Sequence, residues 1–396
     1  MNPIVPRINI LYTNIGRGHP SYLDGITEAL IRKQGIGLVR AETSVFEVSS
    51  LMSRLGWDLA RWLYQHGSSG GTLGVIYGRL RRRRDYNRYS RLLSLMGRDI
   101  RRRFLTDPNP LLVAHPSLVG ILDGKDDLLY QHGELVVPRE SLVEGASVVF
   151  VPTEEVASAF RSAGYAHHEV VTTGLCIEPA MVRQAADCFR QRRERLSMPM
   201  PLTGAYYSSG AEPKAHVARL TAAAVSAVAG GQRAIVVAAK GRRLAVRTER
   251  AFREAGLPLA IIEASDQLPA DLPSGLLVLH TSRREESAFS ARFLPYFDYL
   301  LAPAHERTSW ALGLGLPMFV VGPAVGPFAS LNRDLLLREN VAVPLDSQSD
   351  ADKFGALVAG FHRSGRLVQM SDSGWGRFDS QGFDTIAEYL LTSYGK

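Results

Sequence analysis

The sequence predicts an α/β protein of two facing, doubly wound domains. Short apolar runs alternate with segments of helical spacing along nearly the whole chain, the pattern of parallel sheets covered by helices. That alternation stops at Ser197-Met198-Pro199-Met200-Pro201, a stretch with linker chemistry, and then restarts. The 396 residues, 45% hydrophobic and 21% charged, supply core for two domains of ordinary size. The boundaries expected are 1–200 and 201–376, with a last helix, about Thr385 to Thr392, inside a closing segment 377–396.

The first half opens on a strand, Ile8 to Tyr12, a glycine loop, Asn14 to Pro20, and a helix with Leu23, Ile26, Ala29 and Leu30 on one face. Gly16 and Gly18 allow a tight turn and close approach to bare N–H groups, and Pro20 suits a first helical turn. A helix N-terminus there favours anionic oxygens. His19, at the loop's mouth, is of the type that takes a proton near neutral pH. The third glycine of a dinucleotide fingerprint is missing, so the loop alone also fits any doubly wound sheet.

Gly37 to Glu42 reads as the second strand. Leu51, Leu55, Leu59, Trp62 and Leu63 mark an amphipathic helix, and Gly67 to Gly71 a flexible break. Helical spacing resumes before Arg81-Arg82-Arg83-Arg84, and a further helix carries Tyr86, Tyr89, Leu92, Leu93, Met96 and Ile100 on one face. Strands follow at Leu111 to Ala114, Asp127 to Gln131, Ser147 to Val151 and Val170 to Gly174. The first ends in His115-Pro116 and the second opens onto Gln131-His132-Gly133-Glu134. In the second half, strands are expected at Leu202 to Tyr207, Ala234 to Ala239, Leu259 to Glu263, Leu276 to His280, Asp298 to Ala302 and Met318 to Val321. A small-residue loop, Ser208-Ser209-Gly210-Ala211, leads into a helix over Lys214 to Val228. Asp350-Ala351-Asp352 reads as helix-start acids rather than a metal motif.

The net charge is +7, but Arg79 to Arg103 alone holds eleven Arg and two Asp, a net of +9 that leaves −2 for the rest. The two cysteines, Cys176 and Cys188, form neither a disulfide framework nor a metal set, which fits a reducing compartment. Met1 to Arg7 leads straight into a strand, so no leader is expected, and no apolar run reaches the roughly 20 residues of a membrane span.

Gly16-Arg17-Gly18-His19 resembles the Gly-x-Gly-His loop that opens the lipid-directed glycosyltransferases of the GT-B type. Those are the transferase that makes lipid II, the monogalactosyldiacylglycerol synthases and the processive diacylglycerol glucosyltransferases. His132-Gly133-Glu134, with Val137-Pro138-Arg139-Glu140, is similar to their His-Glu-Gln-Asn loop. Ser208-Ser209-Gly210 is similar to their Gly-Gly-Ser loop, with serines for two glycines. Asp298 to Pro317 follows their order of Asp, apolar strand, turn, Thr, helix and Gly-Leu-Pro, and Asn332 matches an asparagine in the next helix. Trp310 stands where those enzymes carry a ribose-binding glutamate, and Ala304, His305, Glu306 and Arg307 replace the glycines of the turn.

The resemblance implies two facing Rossmann-like domains of GT-B type, with the final helix packing back on the first. It implies a cytoplasmic enzyme, peripheral on the inner face of the membrane, moving a hexose from a UDP-sugar to a lipid or other membrane-borne acceptor. His19 is the implied catalytic base. Gly16, Gly18, His132 and Glu134 are implied for the acceptor, although His132 and Glu134 equally fit a loop tie. Ser208, Ser209, Gly210, His305, Glu306, Arg307, Thr308 and Asn332 are implied for the donor. No metal or other cofactor is expected. Trp57, Trp62 and Arg81, Arg82, Arg83 and Arg84 combine rings with cations as interfacial segments do, so an anionic membrane surface is the expected partner and nucleic acid ranks behind it. Other readings are a nucleotide-sugar epimerase on the same fold and a non-catalytic descendant that binds a sugar or the membrane.

Overall fold

The computed structural model describes residues 7–16, 18–67, 81, 85–88, 90–165, 169–267 and 271–395. They form two compact units, one from the chain up to Pro179 together with Phe378 onward, the other from Ala180–Arg377. Arg82, Arg83 and Arg84, the expected break at Gly67 to Gly71 beyond its first residue, and Tyr89 lie outside the described residues.

In the first unit, β1 (Ile8–Tyr12), β2 (Val39–Ser44), β3 (Leu111–Val113), β4 (Leu128–Gln131), β5 (Val148–Val151) and β6 (Glu169–Thr172) make a parallel sheet ordered β2-β1-β3-β4-β5-β6. Its strands are continuous apolar runs because helices cover both faces. One face takes the helix Gly18–Arg32 and the closing helix Gly382–Tyr394, through Tyr22, Leu23, Ile26 and Leu30 against Phe383, Ile386 and Leu390. Gly25 is required there, since a Cβ would fall 2.3 Å from the Phe383 ring.

The other face takes the helices Leu51–Gly67, Arg91–Phe104 and Pro116–Ile121. Here the structure reverses the usual meaning of an apolar stripe. Leu51, Met52, Leu55, Leu59, Trp62 and Leu63 point outward, from 75% exposed at Leu51 to 37% at Leu63, while Ser53, Gly56 and Trp57 are buried. The buried side is narrow: a Cβ on Gly56 would meet Met96 Cγ at 2.5 Å. Trp57, expected at a membrane surface, is 1% exposed and its Nε1 donates to the Met96 carbonyl at 3.1 Å. Arg81 is also not a loose surface cation, because its guanidinium pairs with the Glu140 carboxylate.

A carboxylate joins the two long helices. Asp99 accepts from Ser50 N–H at 2.9 Å, Ser50 Oγ at 2.6 Å and Ser53 Oγ at 2.8 Å, and these bonds pull its pKa down to about 2.

In the second unit, β7 (Thr203–Tyr207), β8 (Arg233–Ala239), β9 (Ala260–Glu263), β10 (Gly275–His280), β11 (Tyr299–Ala302), β12 (Met318–Val321) and β13 (Ala342–Leu345) form a parallel sheet ordered β13-β12-β11-β7-β8-β10-β9. The helix Lys214–Ala229 packs its alanine face on this sheet. β13, interrupted by Pro344, was not expected from the sequence. It lies at the sheet edge, where a missing N–H is tolerated.

The division between units falls near residue 180 rather than 200. The helix Ala185–Ser197 belongs to the second unit because Arg192, fully buried, donates to the carbonyls of Phe297 at 2.9 Å, Leu314 at 2.7 Å and Gly315 at 3.1 Å. Arg195 pairs with Asp298 at 2.7 Å, and Asp298 accepts the Thr203 N–H at 2.8 Å. Ser347 Oγ caps Asp350 N–H, so Asp350 and Asp352 sit on a short helix and its first turn.

Asp99→Ala is expected to destabilise the first unit by about 1–3 kcal/mol, the scale for buried hydroxyls losing their acceptor. Because the folded pKa lies below the unfolded value of 3.8, the carboxylate's contribution is present above that value and lost as pH falls toward about 2. Denaturant titrations of both proteins between neutral and acid pH will show the difference narrowing in acid.

Candidate functional site

In a parallel sheet every strand ends on the same edge, and ligands bind where neighbouring strands send their connections to opposite faces. In the first unit that point lies between β1 and β3. The helix after β1 packs in one core cluster and the helix after β3 in the other. In the second unit it lies between β7 and β11, from which the strand order runs outward both ways. The candidate loops of each unit occupy these two points.

After β1, Asn14 turns at φ 49° with its Nδ2 donating to Ser44 Oγ at 3.0 Å. Gly16 follows at φ 72°, and a Cβ there would lie 3.0 Å from the Tyr64 ring, so both its conformation and its clearance need glycine. His19 is half-buried in the first turn of its helix and meets His115 edge-on, with ring centroids 4.7 Å apart. His115 Nδ1 accepts the Ser117 N–H at 3.1 Å, which caps the following helix and leaves the ring proton on Nε2 when neutral.

Glu134, 9% exposed, joins the same place: its Oε1 lies 3.7 Å from where a Gly18 Cβ would stand. Gly133 passes under Tyr22, where a Cβ would fall 2.6 Å from the ring. The structure thus brings Gly16, Gly18, His19, His115 and Glu134 together. His132 is set back, 2% exposed, with Nε2 donating to the Val136 carbonyl at 3.2 Å. Burial pushes its pKa down to about 3, and the neighbouring His19 charge adds to this, so it stays neutral and ties the loop.

In the second unit Ser208 and Ser209 are half-buried and Gly210 is exposed. Arg307, 3% exposed, is the centre of the β11 loop. Its guanidinium pairs with Glu286 and, at 3.1 Å, with Glu306, and lies 4.1 Å over the Tyr207 ring. Glu286 in turn meets His280 Nε2 at 3.4 Å. Arg307 is therefore committed inside the unit, whereas Glu306 and His305 are half-buried and line the loop. Trp310 is 2% exposed and packs edge-on against Tyr207. Asn332, fully buried, donates from Nδ2 to the Ala304 carbonyl at 3.3 Å and holds the loop from behind.

One residue here had no sequence signal. His216, in the helix after β7, is fully buried; its Nε2 donates to the Pro323 carbonyl at 2.7 Å. Burial lowers its pKa to about 4, and His305 and Arg219 lower it further, so it is neutral. Its Nδ1, Ser208 Oγ and Thr308 Oγ1 are buried and have no hydrogen-bond partner among the described residues, so this end of the sheet holds polar atoms not used there. A single histidine in an alanine-rich helix carries no pattern that marks it. Among the described residues, no group of three His, Cys, Asp or Glu side chains is placed to hold a metal, and no helix is long and apolar enough to cross a membrane.

No protein-family model and no curated protein sequence matches this chain. Solved structures do match its fold. The UDP-GlcNAc 2-epimerase of Neisseria meningitidis bound to UDP-GlcNAc aligns with TM-score 0.54 at 9% identity, over 98% of each chain. MnaA of S. aureus, solved with UDP, aligns with TM-score 0.53 at 11% identity, over 98% of this chain and 96% of its own. UGT71G1 of Medicago truncatula complexed with UDP-glucose aligns with TM-score 0.52 at 10% identity, over the whole of both chains. At these identities the likeness is one of fold: two Rossmann-like, parallel-sheet domains of the GT-B type.

Proposed function

We propose that the protein is a glycosyltransferase that moves a hexose from a UDP-sugar to a lipid or other membrane-borne acceptor. The observation that carries this reading is the convergence of Gly16, Gly18, His19, His115 and Glu134 at the switch point of the first sheet. The UDP and UDP-sugars named for the structures of like fold support the donor class. The outward apolar stripe of the helix Leu51–Gly67 supports an acceptor at a membrane.

In this reading His19 takes the proton from the acceptor hydroxyl as its oxygen bonds to the anomeric carbon. The bond from that carbon to the diphosphate oxygen breaks, and UDP leaves with the electron pair. His115 holds the His19 ring by its edge contact. On the donor side, the Ser208–Gly210 turn would present N–H and hydroxyl groups to the diphosphate, and Glu306 would meet the ribose. The serine hydroxyls and N–H dipoles take the place a metal holds elsewhere. Resemblance to the lipid II and galactolipid enzymes agrees with this choice of acceptor. An epimerase on the same fold would act without any acceptor and would have no use for the stripe.

Calorimetric titration with UDP and UDP-sugars is expected to show binding, weakened about tenfold or more by Glu306→Gln. If the wild type binds no nucleotide, the chain is a non-catalytic relative and the proposal fails.

His19→Ala is expected to cut transfer to a hydroxyl acceptor by roughly 100-fold or more with the fold intact. Turnover unchanged in this variant removes His19 as the base. Conversion of the UDP-sugar without acceptor identifies the epimerase instead.

A further inference from the structure

The first unit contains a second concavity, which adjoins the switch point through Tyr86, whose ring meets the His115 ring edge-on with centroids 6.1 Å apart. It is a cleft of about 860 Å³ lined by Arg91, Ser94, Leu95, Arg98 and Arg101 of the helix Arg91–Phe104 and, opposite them, by Gly120, Asp123, Glu144, Tyr86 and Asn87. Asp123 and Glu144 lie in the connections leading into β4 and β5, at the edge where those strands begin. His19, His115 and Glu134 lie at the edge where strands end. The carboxylate wall of the cleft therefore lies at the opposite edge from the acceptor site proposed above, while Tyr86 is the wall nearest to it.

Its cations are arranged rather than scattered. Positions 91, 94, 95, 98 and 101 recur at helical spacing, so three guanidinium groups and the Ser94 hydroxyl share one stripe. Arg101 is fixed: its Nη1 donates to the carbonyls of Ile121 at 2.6 Å and Asp123 at 3.2 Å. Arg91 and Arg98 are exposed and, among the described residues, have no ion-pair partner. Asn87 braces the far wall, with Nδ2 donating to the Leu142 carbonyl at 3.0 Å and its carbonyl accepting the Glu144 N–H at 2.8 Å. Asp123 and Glu144 offset part of the positive charge and offer acceptors. The chemistry suited to this cleft is a phosphate ester whose hydroxyl or ammonium groups face the carboxylates.

The surroundings select the source of that phosphate. Leu95 lines the cleft and is 39% exposed, as Leu92 is at 40%. Leu95 also abuts the outward-facing helix, its carbonyl oxygen lying 3.0 Å from Ser53 Oγ. The cationic cleft thus lies on the helix that packs against the one carrying the exposed Leu51, Met52 and Leu55. We propose that the cleft is a headgroup site for an anionic phospholipid that is not the sugar acceptor, seated as the apolar stripe enters the bilayer. This rests on the membrane part of the function proposed above and on none of its chemistry.

The test compares vesicles of phosphatidylglycerol and phosphatidylcholine in equal parts with vesicles of phosphatidylcholine alone, using the full chain. Wild type is expected to prefer the anionic vesicles at least about tenfold, and glycerol phosphate in solution is expected to compete. Arg91→Gln with Arg98→Gln should remove most of that preference. Arg102→Gln with Arg103→Gln removes equal charge from the exposed side of the same helix and should reduce it by no more than about threefold. Equal losses in the two variants would mean diffuse attraction and overturn the site. Binding of glycerol phosphate or inorganic phosphate by a wild type that ignores vesicles would overturn the lipid assignment in favour of a soluble phosphate. Oligonucleotide binding lost in the Arg91, Arg98 variant, without any vesicle preference in the wild type, would overturn it in favour of nucleic acid. Leu55→Ser with Leu59→Ser should weaken binding to both vesicle types while glycerol phosphate binding persists. Unchanged vesicle binding in that variant would count against the membrane reading of the stripe, separately from the cleft.

Discussion

A buried guanidinium must be neutralised where it lies, and Arg307 imposes that condition on the second unit. Its partners come from three strand exits: Tyr207 from the end of β7, Glu286 from the helix after β10, and Glu306 from the β11 loop. One cation thereby fixes the path of the β11 loop, the one proposed to face the donor. The same condition gives a reason for Trp310. Its ring is 5.4 Å from the guanidinium carbon, and two carboxylates already share the one charge. A third acid at that position would exceed it, whereas an indole adds a polarisable face and fills the space beside Tyr207.

Much of the architecture was legible because parallel strands are apolar on both faces and short. β1 and β12 fall where the runs Ile8 to Tyr12 and Met318 to Val321 put them, and the other expected strands match within a few residues. β13 escaped because Pro344 breaks a four-residue run at a sheet edge. The boundary near 180 escaped because what assigns the helix Ala185–Ser197 to the second unit is a set of bonds from Arg192 to carbonyls more than a hundred residues away. No local pattern encodes those.

The site was legible in its loops and not in its side-chain commitments. Gly16, Gly18 and His19 announce a tight turn and a candidate base, and the structure sets His115, which follows a different strand, beside it. Arg307 looked like a ligand contact but is spent on internal charge balance. The two tryptophans of the helix Leu51–Gly67 illustrate the limit most simply. Periodicity separates the faces of a helix without saying which face meets protein. Here the small-residue face with Ser53 and Gly56 admits the neighbouring helix closely, and Asp99 bonds across, so Trp57 goes inward and the leucines with Trp62 go out.

The closing helix Gly382–Tyr394 completes the core around the helix Gly18–Arg32, which carries His19 on its first turn. The unit begun by β1 is therefore finished by a helix that follows the whole of the second unit. On a ribosome, synthesis proceeds from the amino terminus and domains tend to fold as they emerge. For this chain the second unit has all of its sequence available while the first still lacks a wall. Until that helix has emerged, Phe383's place against Gly25 stands open, and the apolar face of the first helix is a natural target for chaperones.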